Sequence, residues 1–308
     1  MKLAILDLGT NTFHLLIAEV GKDKSVRIVF RSKISVKLGE GAIDRNFIAP
    51  APLERGLKAL KHYAEIIRKH KTEKIFAIAT SAVRSAINGK EFIRKAYVNT
   101  GIRINAISGE QEAELIYYGV RQCVQMSDDA QLIVDIGGGS TEFIIANRDR
   151  IYWKRSFNIG ASRLLETFKP SDPITAAEIR NVELHLEKTL LPLTKALEKF
   201  PVKSLIGSSG SFDTLAEIIG WRFHRKNILK NAVTIRFDLN EVERIHRVLL
   251  NSTTAQRMKM KGLIKMRVDM IVLSSICTNF LLKKFKLTEM LLSKYALKEG
   301  VLWEAVYH

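Results

Sequence analysis

Residues 132–146 read LIVDIGGGSTEFIIA. An apolar run ends at Asp135, three glycines and a Ser-Thr pair follow, and a second apolar run leaves after Glu142. Gly-rich turns that cradle phosphate usually lead from a strand into a helix. This turn leads into FIIA, which reads as a returning strand, so the stretch predicts a β-hairpin with acids near its tip. A near copy lies upstream. Residues 4–18 read AILDLGTNTFHLLIA and align with it without a gap, Asp7 with Asp135, Gly9 with Gly137, Thr12 with Ser140 and Ala18 with Ala146. A further extended stretch follows each copy, VRIVFRSKISVKLG in the first and RIYWKRSFNIG in the second. The chain therefore reads as a duplicated domain, each half opening with a β-meander.

Outward from the hairpins, strands and helices alternate. In the first half, helical apolar spacing covers 52–70, with Pro52 near the first turn. KIFAIAT (74–80) reads as a strand, GKEFIRKAYVNT as a helix, IRINAI as a strand and 109–124 as a helix. In the second half, Thr175 and Glu178 form a capping box ahead of a long helix expected to reach about residue 199. VKSLIG (202–207) reads as a strand running into a turn over 207–211, and Asp238 with Glu241 opens another helix. RVDMIVLSSICTNFLLKKF reads as a buried helix, LTEMLLS as the last strand and ALKEGVLWEAV as the last helix. This alternation favours α/β over α+β. No Pro/Gly/Ser-rich linker parts the halves, so the junction is expected near 124–130 (VQMSDDA). The expected domains are 1–125 and 126–308, with the last helix, about 296–308, a candidate to pack back on the first.

The bulk properties bound the function. A chain of 308 residues is long enough for two domains with separate cores. Its 46% hydrophobic and 26% charged residues are those of a globular protein, and no apolar run approaches the roughly 20 residues of a membrane span. Asp7 interrupts MKLAIL too early for the roughly 7–15-residue core of a signal peptide. Cys123 and Cys277 are far apart and form neither a disulfide framework nor a CxxC pair, so a reducing cytoplasm is the expected location. The formal net charge of +17 attracts polyanions, among them nucleic acid, acidic lipid and inorganic polyphosphate. No zinc-finger spacing, RGG tract or aromatic-rich basic strand points to nucleic acid.

The hairpins also suggest a site. If the two halves face each other, their tips line one cleft, and a phosphate there would meet backbone N–H groups and hydroxyls from both. Glycine permits close backbone approach, and successive N–H groups can form an anion nest. Acids at the strand ends repel phosphate but can hold a divalent cation that bridges to it.

These residues resemble the exopolyphosphatase / guanosine pentaphosphate phosphohydrolase (Ppx/GppA) family, within the duplicated actin-like, ribonuclease H-like ATPase fold. DLGTNTFHL (7–15), TSAVRSAIN (80–88), ISGEQEAELIYYGV (107–120), DIGGGSTE (135–142), GSSGSFDTL (207–215) and YALKEGVL (295–302) are similar to the family's motifs and follow its order. The resemblance covers essentially the whole chain. It implies two domains facing across a cleft, and a hydrolase that releases terminal phosphate from polyphosphate or guanosine pentaphosphate. It implies Glu112 as the catalytic base, with Glu110 ranked below it as a helix-capping acid. Asn11, Thr12, Ser81 and Arg84 in the first half would bind phosphate, as would Gly137, Gly138, Gly139, Ser140, Ser208 and Ser209 in the second. Arg84 suits phosphate oxygens because a guanidinium can grip them bidentately. Taken alone, each hydroxyl reads equally as turn chemistry or a helix cap. Asp135 and Glu142 would lie at a Mg²⁺ or other divalent cation. Asp7 is either a further ligand or an acceptor that fixes its own turn.

Two positions depart from the family. His14 and Lys298 stand where arginine is usual, and lysine cannot reproduce a bidentate arginine grip. Relatives with an additional C-terminal helical domain have a longer surface for polyphosphate. Here that role would fall to RMKMKGLIKMR (257–267), unless the run is a solvated helix face, or to a second subunit in a homodimer. Two rival readings share the fold: another actin-like ATPase or kinase, and a non-catalytic sensor of a phosphorylated ligand.

Overall fold

The computed structural model describes residues 1–307 and divides into two compact units. The first comprises Met1–Gly119 together with the helix that begins at Leu297, and the second Val120–Ala296. In chain order the first unit has β1 (Lys2–Leu8), β2 (Thr12–Val20), β3 (Val26–Ser35), α1 (Pro50–Lys69), β4 (Lys74–Ala79), α2 (Ser81–Ser85), α3 (Gly89–Thr100), β5 (Ile104–Ala106) and α4 (Gly109–Val120), the last residue of α4 beginning the second unit. The second unit continues with β6 (Gln131–Ile136), β7 (Thr141–Ala146), β8 (Ile151–Phe157), α5 (Ala161–Phe168), α6 (Ala176–Thr189), α7 (Leu191–Lys199), β9 (Ser204–Ser208), α8 (Ser209–Phe223), β10 (Thr234–Arg236), α9 (Leu239–Leu250), α10 (Thr254–Arg257), α11 (Ile271–Lys284) and β11 (Glu289–Ser293). The final helix, α12 (Leu297–Tyr307), belongs with the first unit.

The sheets are ordered β3-β2-β1-β4-β5 and β10-β11-β9-β6-β7-β8. In each, an antiparallel three-strand meander continues into parallel strands, β4 and β5 in the first unit and β9 and β11 in the second. This repeated order is that of a duplicated ribonuclease H-like, actin-like α/β fold. Strand β10 is an extra antiparallel edge without a counterpart in the first sheet. The duplication extends to register. Leu8 pairs with Phe13 where Ile136 pairs with Thr141, and both second-to-third strand ladders slip at corresponding residues, between Ile17 and Ala18 and between Ile145 and Ala146.

Strands covered on both faces need apolar residues throughout rather than alternation. That is why β6 and β7 are buried along their whole length. In the first unit Ala4, Leu6 and Leu8 join a core with Tyr63 of α1 and Phe92 of α3. Leu3 and Ile5, on the opposite face by strand alternation, are also fully buried. Helix α12 packs against β1, and its Gly300 lies so close to α4 that an added Cβ would stand 1.7 Å from the Leu115 carbonyl oxygen. Trp303 stacks on Tyr118 at 4.5 Å between ring centroids. In the second unit α11 is apolar around its circumference and is buried among α5, α6, α8 and α9.

The long helix expected from Thr175 to about 199 is two helices. Thr175 and Glu178 do form the capping box of α6, but Leu190 ends α6 and Pro192 lies in the first turn of α7. A proline within the helix would lack the N–H for the ladder and clash with the carbonyl four residues back. The helix expected over 109–124 ends at Val120, and the expected turn at 207–211 is the end of β9 followed directly by the first turn of α8. Gly207 there is required by packing, because a Cβ would stand 2.2 Å from the Phe212 ring.

His246 of α9 is buried, with Nδ1 2.7 Å from the Ser275 hydroxyl. Burial, then the positive charge of Lys283, lowers its pKa to about 4, against a weaker opposing pull from Glu243. The unfolded chain therefore takes up a proton below about pH 6.5, while the folded chain resists until about pH 4. Stability from this group is full above that window and falls as pH drops through it, by up to about 3 kcal/mol at about 1.4 kcal/mol per pH unit. His246→Gln should flatten this part of the stability profile, measured by urea unfolding from pH 7 to pH 4. An unchanged slope would remove His246 as its source.

Candidate functional site

In the second unit β6 and β7 pair up to Ile136↔Thr141, with Asp135 directly opposite Glu142, and residues 137–140 form the turn. Gly137 N–H donates to Ser140 O at 3.0 Å, and in the first hairpin Gly9 N–H donates to Thr12 O at 3.1 Å. A Cβ on either glycine would stand 3.0 Å from that same carbonyl oxygen, so both turns favour glycine at this point.

The start of α5 holds the turn from behind. Ala161 N–H donates to Gly137 O, Ser162 and Arg163 N–H to Gly138 O, and Gly160 N–H to Gly139 O, over 2.9–3.4 Å. The Arg163 side chain adds Nε to Gly139 O at 3.1 Å. In a trans peptide the C=O and the following N–H point in opposite directions. Tying back these three carbonyls turns the N–H groups of Gly138, Gly139 and Ser140 the other way, and among the described residues these donate to no protein acceptor. The outcome is a nest of donors suited to an anion. Gly160 permits it, since a Cβ there would lie 2.5 Å from Gly138. In the first hairpin the carbonyls of Thr10 and Asn11 are likewise held, by N–H groups of Val36, Lys37 and Gly39.

Two of the hydroxyls expected to touch phosphate, those of Ser140 and Ser208, are hydrogen-bonded to the acids. Ser140 and Ser156 each donate to Glu142 Oε1 at 2.6 Å, and Ser208 donates to Asp135 Oδ2 at 2.8 Å. Both carboxylates are buried, as are Ser140 and Ser208. Ser209 begins α8 with φ of 73°, a left-handed conformation that is uncommon for a residue with a side chain.

In the first unit a capping box starts α4: Ser108 Oγ accepts from Gln111 N–H, and Gln111 Oε1 accepts from Ser108 N–H. This fixes Glu112 in the first turn, buried, while Glu110 is exposed. Arg84, at the end of α2, donates through Nη1 to Glu112 Oε2 at 2.6 Å and to Ile107 O at 3.2 Å. Its Nε and Nη2 have no protein acceptor among the described residues. Ser81, first residue of α2, is buried and its Oγ has no hydrogen-bond partner. Asn11 and Thr12 flank the first turn, Asp7 pairs with His14, and Lys298 lies 3.2 Å from the buried Glu299.

Among the described residues no group of three or more His, Cys, Asp and Glu side chains is placed to hold a metal ion. Magnesium, however, is usually held by one or two carboxylates together with substrate phosphates rather than by an all-protein cage. The opposed pair Asp135 and Glu142, oriented by three hydroxyl donors, suits that mode.

Sequence reasoning missed Ser156, Gly160 and Arg163. Ser156 was findable, because once β7 and β8 are paired it stands opposite Glu142. Gly160 and Arg163 matter only through the contact of α5 with the turn. The basic stretch 257–267 is not a uniform surface. Arg257 is buried, donating to Val268 O, Ser252 O and Asp172, and Arg267 lies over Gly210 and donates to Thr214 Oγ1 at 2.5 Å. Lys259, Lys261 and Lys265 remain exposed.

Among the described residues, no helix is long and apolar enough to cross a membrane. The Ppx/GppA phosphatase family matches residues 16–308, a range that begins just beyond the first hairpin turn. A bifunctional 3-dehydroquinate synthase/phosphatase of Fusobacterium nucleatum is 38% identical over 225 residues, which is 70% of this chain and 34% of that protein. The chain thus spans about a third of that relative's length. The crystal structure of an exopolyphosphatase from Cytophaga hutchinsonii is similar at 37% identity and a TM-score of 0.95, covering 99% of this chain and 98% of that one. A Ppx/GppA protein from Aquifex aeolicus is similar at 26% identity and a TM-score of 0.80, covering 99% and 97%. With a family match across nearly its whole length and the same fold in these structures, the chain belongs to the Ppx/GppA phosphatase family.

Proposed function

We propose that this protein hydrolyses phosphoanhydride bonds, releasing terminal phosphate from inorganic polyphosphate, with guanosine pentaphosphate as the alternative substrate for the same chemistry. The observation that carries this reading is the buried Glu112 carboxylate fixed by Arg84 at 2.6 Å, with the unpartnered Ser81 hydroxyl at the other end of the helical turn that bears Arg84. The similarity to the Cytophaga hutchinsonii exopolyphosphatase over 99% of the chain supports polyphosphate as the substrate.

In this mechanism Glu112 accepts a proton from water as the water oxygen attacks the terminal phosphorus. The bond from phosphorus to the bridging oxygen breaks, and the shortened chain leaves with the electron pair. Nη1 of Arg84 holds the base, and its unpartnered Nε and Nη2 grip phosphate oxygens. Ser81 Oγ donates a further hydrogen bond. The N–H groups of Gly138, Gly139 and Ser140 stabilise phosphate charge without having to reorganise. Asn11, Thr12 and Ser209 provide additional polar groups, while Ser140 and Ser208 act through the acids they orient. Asp135 and Glu142, with Asp7 as a further candidate, would hold a divalent cation such as Mg²⁺, whose chemistry is neutralisation of charge on phosphate oxygens. Cys123 and Cys277 are not joined in a disulfide, which accords with a reducing cytoplasm.

Phosphate release from polyphosphate, guanosine pentaphosphate and ATP, each with and without Mg²⁺, tests the proposal. Metal-dependent release from either of the first two, with little from ATP, is expected. Release from ATP alone would favour another ATPase, and release from none would favour a sensor. Glu112→Ala should lower turnover by about 10²–10⁴-fold while leaving polyphosphate binding largely intact, since the base acts on water. Turnover near the wild-type rate would dismiss Glu112 as the base. With Glu112→Ala preventing hydrolysis, the affinity of long polyphosphate should fall more steeply with salt than that of a very short one, because only the long chain meets much of the +17 charge. Parallel slopes would confine binding to the local site.

A further inference from the structure

Two adjoining cavities open on the second unit beside the far end of α8. The smaller, about 270 Å³, has an apolar floor that includes Ile218, Val248 and Met260, with Trp221 at its edge. The larger, about 480 Å³, shares Val248, Gln256 and Met260 with it. Arg222, Lys259 and Lys261 line the first and Arg247 the second, and neither is lined by Asp or Glu. Trp221 is 38% exposed, a large aromatic surface left to solvent, and Lys261 Nζ lies 5.7 Å from its ring centroid. Polar groups are available at the junction. Gln256 uses its Oε1 to cap α10 and Asn251 uses its Nδ2 on Arg247 O, which leaves an amide donor on one and an amide acceptor on the other.

This groove is separate from the candidate phosphate site. Trp221 is twelve residues along α8 from Ser209, about 18 Å at 1.5 Å per residue. The basic stretch runs back along that helix as a strap. Lys261 is at Trp221, Gly262 is against Glu217 and Arg267 is against Gly210 and Thr214. At Gly262, φ is +88° and a Cβ would stand 2.6 Å from the Glu217 backbone, so the strap fits closely where it passes.

We propose that this groove binds a nucleoside polyphosphate, its base against Trp221 and the apolar floor and its phosphates among Arg222, Lys259 and Lys261. A rim of cations without an acid selects an anion. An aromatic face over an apolar floor serves a heterocyclic base and offers nothing to inorganic polyphosphate. The combined volume is that of a small-molecule site rather than a groove for a helix.

The test is calorimetric titration of GTP and of ATP into the Glu112→Gln full-length chain, alone and with Trp221→Ala or with Lys259→Glu and Lys261→Glu together. Both added changes should weaken nucleotide binding, Trp221→Ala by about tenfold or more, as loss of a stacking aromatic does. Made in the otherwise wild-type chain, they should leave hydrolysis of short polyphosphate near its normal rate. Inorganic tripolyphosphate should displace the nucleotide far less well than ATP displaces GTP. The proposal is overturned if nucleotide does not bind, if binding is indifferent to both sets of changes, or if tripolyphosphate competes as well as ATP, which would make the groove a general anion patch. Absence of phosphate release from the wild-type chain would count against the catalytic reading alone.

Discussion

Three carbonyl oxygens, those of Gly137, Gly138 and Gly139, are pulled toward the first N–H groups of α5, and the outward aim of the turn's own N–H groups depends on that pull. Each peptide plane that gives up its carbonyl on one side must present its N–H on the other. Helix α5 gains as well, because the opening N–H groups of a helix have no partner within it. One set of bonds thus satisfies a helix terminus and aims a donor nest. Gly160 enters this arrangement through its lack of a side chain, since a methyl group would strike Gly138. The first hairpin reaches a similar end with different parts, using loop N–H groups after β3 instead of a helix.

The acids are treated with equal economy. A buried carboxylate is costly unless hydrogen-bonded, and Asp135 and Glu142 receive hydroxyl donors from two strands, β8 and β9, and from the turn before β7. The serines are consequently supports for the carboxylates. In the first unit the Arg84–Glu112 pair follows the same rule, with the difference that the guanidinium retains unused donors. Breaking such a pair by removing one partner typically costs about 3–5 kcal/mol when it is buried. Ser81 has no partner for its hydroxyl, and a buried hydroxyl without one costs about 1–3 kcal/mol. A cost borne in the protein alone is what a ligand-facing group would show.

The strong positive charge is sorted by the fold into two kinds. Arg257 and Arg267 are tied inward, where a fixed planar fork can satisfy several acceptors at once. The lysines between them stay in solvent, where a flexible ammonium is well hydrated. This division converts a charge run into a strap, with Arg267 fastened to α8 and Arg257 to Ser252, Val268 and Asp172, and with lysines as its outer face.

The sequence by itself determined the duplication, the two hairpins and the α/β alternation, because these rest on period and on a repeat that any packing must respect. Registers that match at Leu8↔Phe13 and Ile136↔Thr141 follow from that repeat. The residues grouped as a candidate site were legible as motifs, and Glu112 was separable from Glu110 by resemblance. Their partners were not legible. That Ser140 and Ser208 serve acids, that α5 backs the glycine turn and that Arg257 is buried depend on approaches between residues distant in the chain, which no local spacing encodes. The split of α6 from α7 was written in Pro192 yet masked by an apolar pattern that continues across it. The sequence offered the last helix as a candidate to return to the first unit, and the tertiary structure decided it, because the place of α12 is set by what Gly300 and Trp303 can approach on α4 and not by its position in the chain.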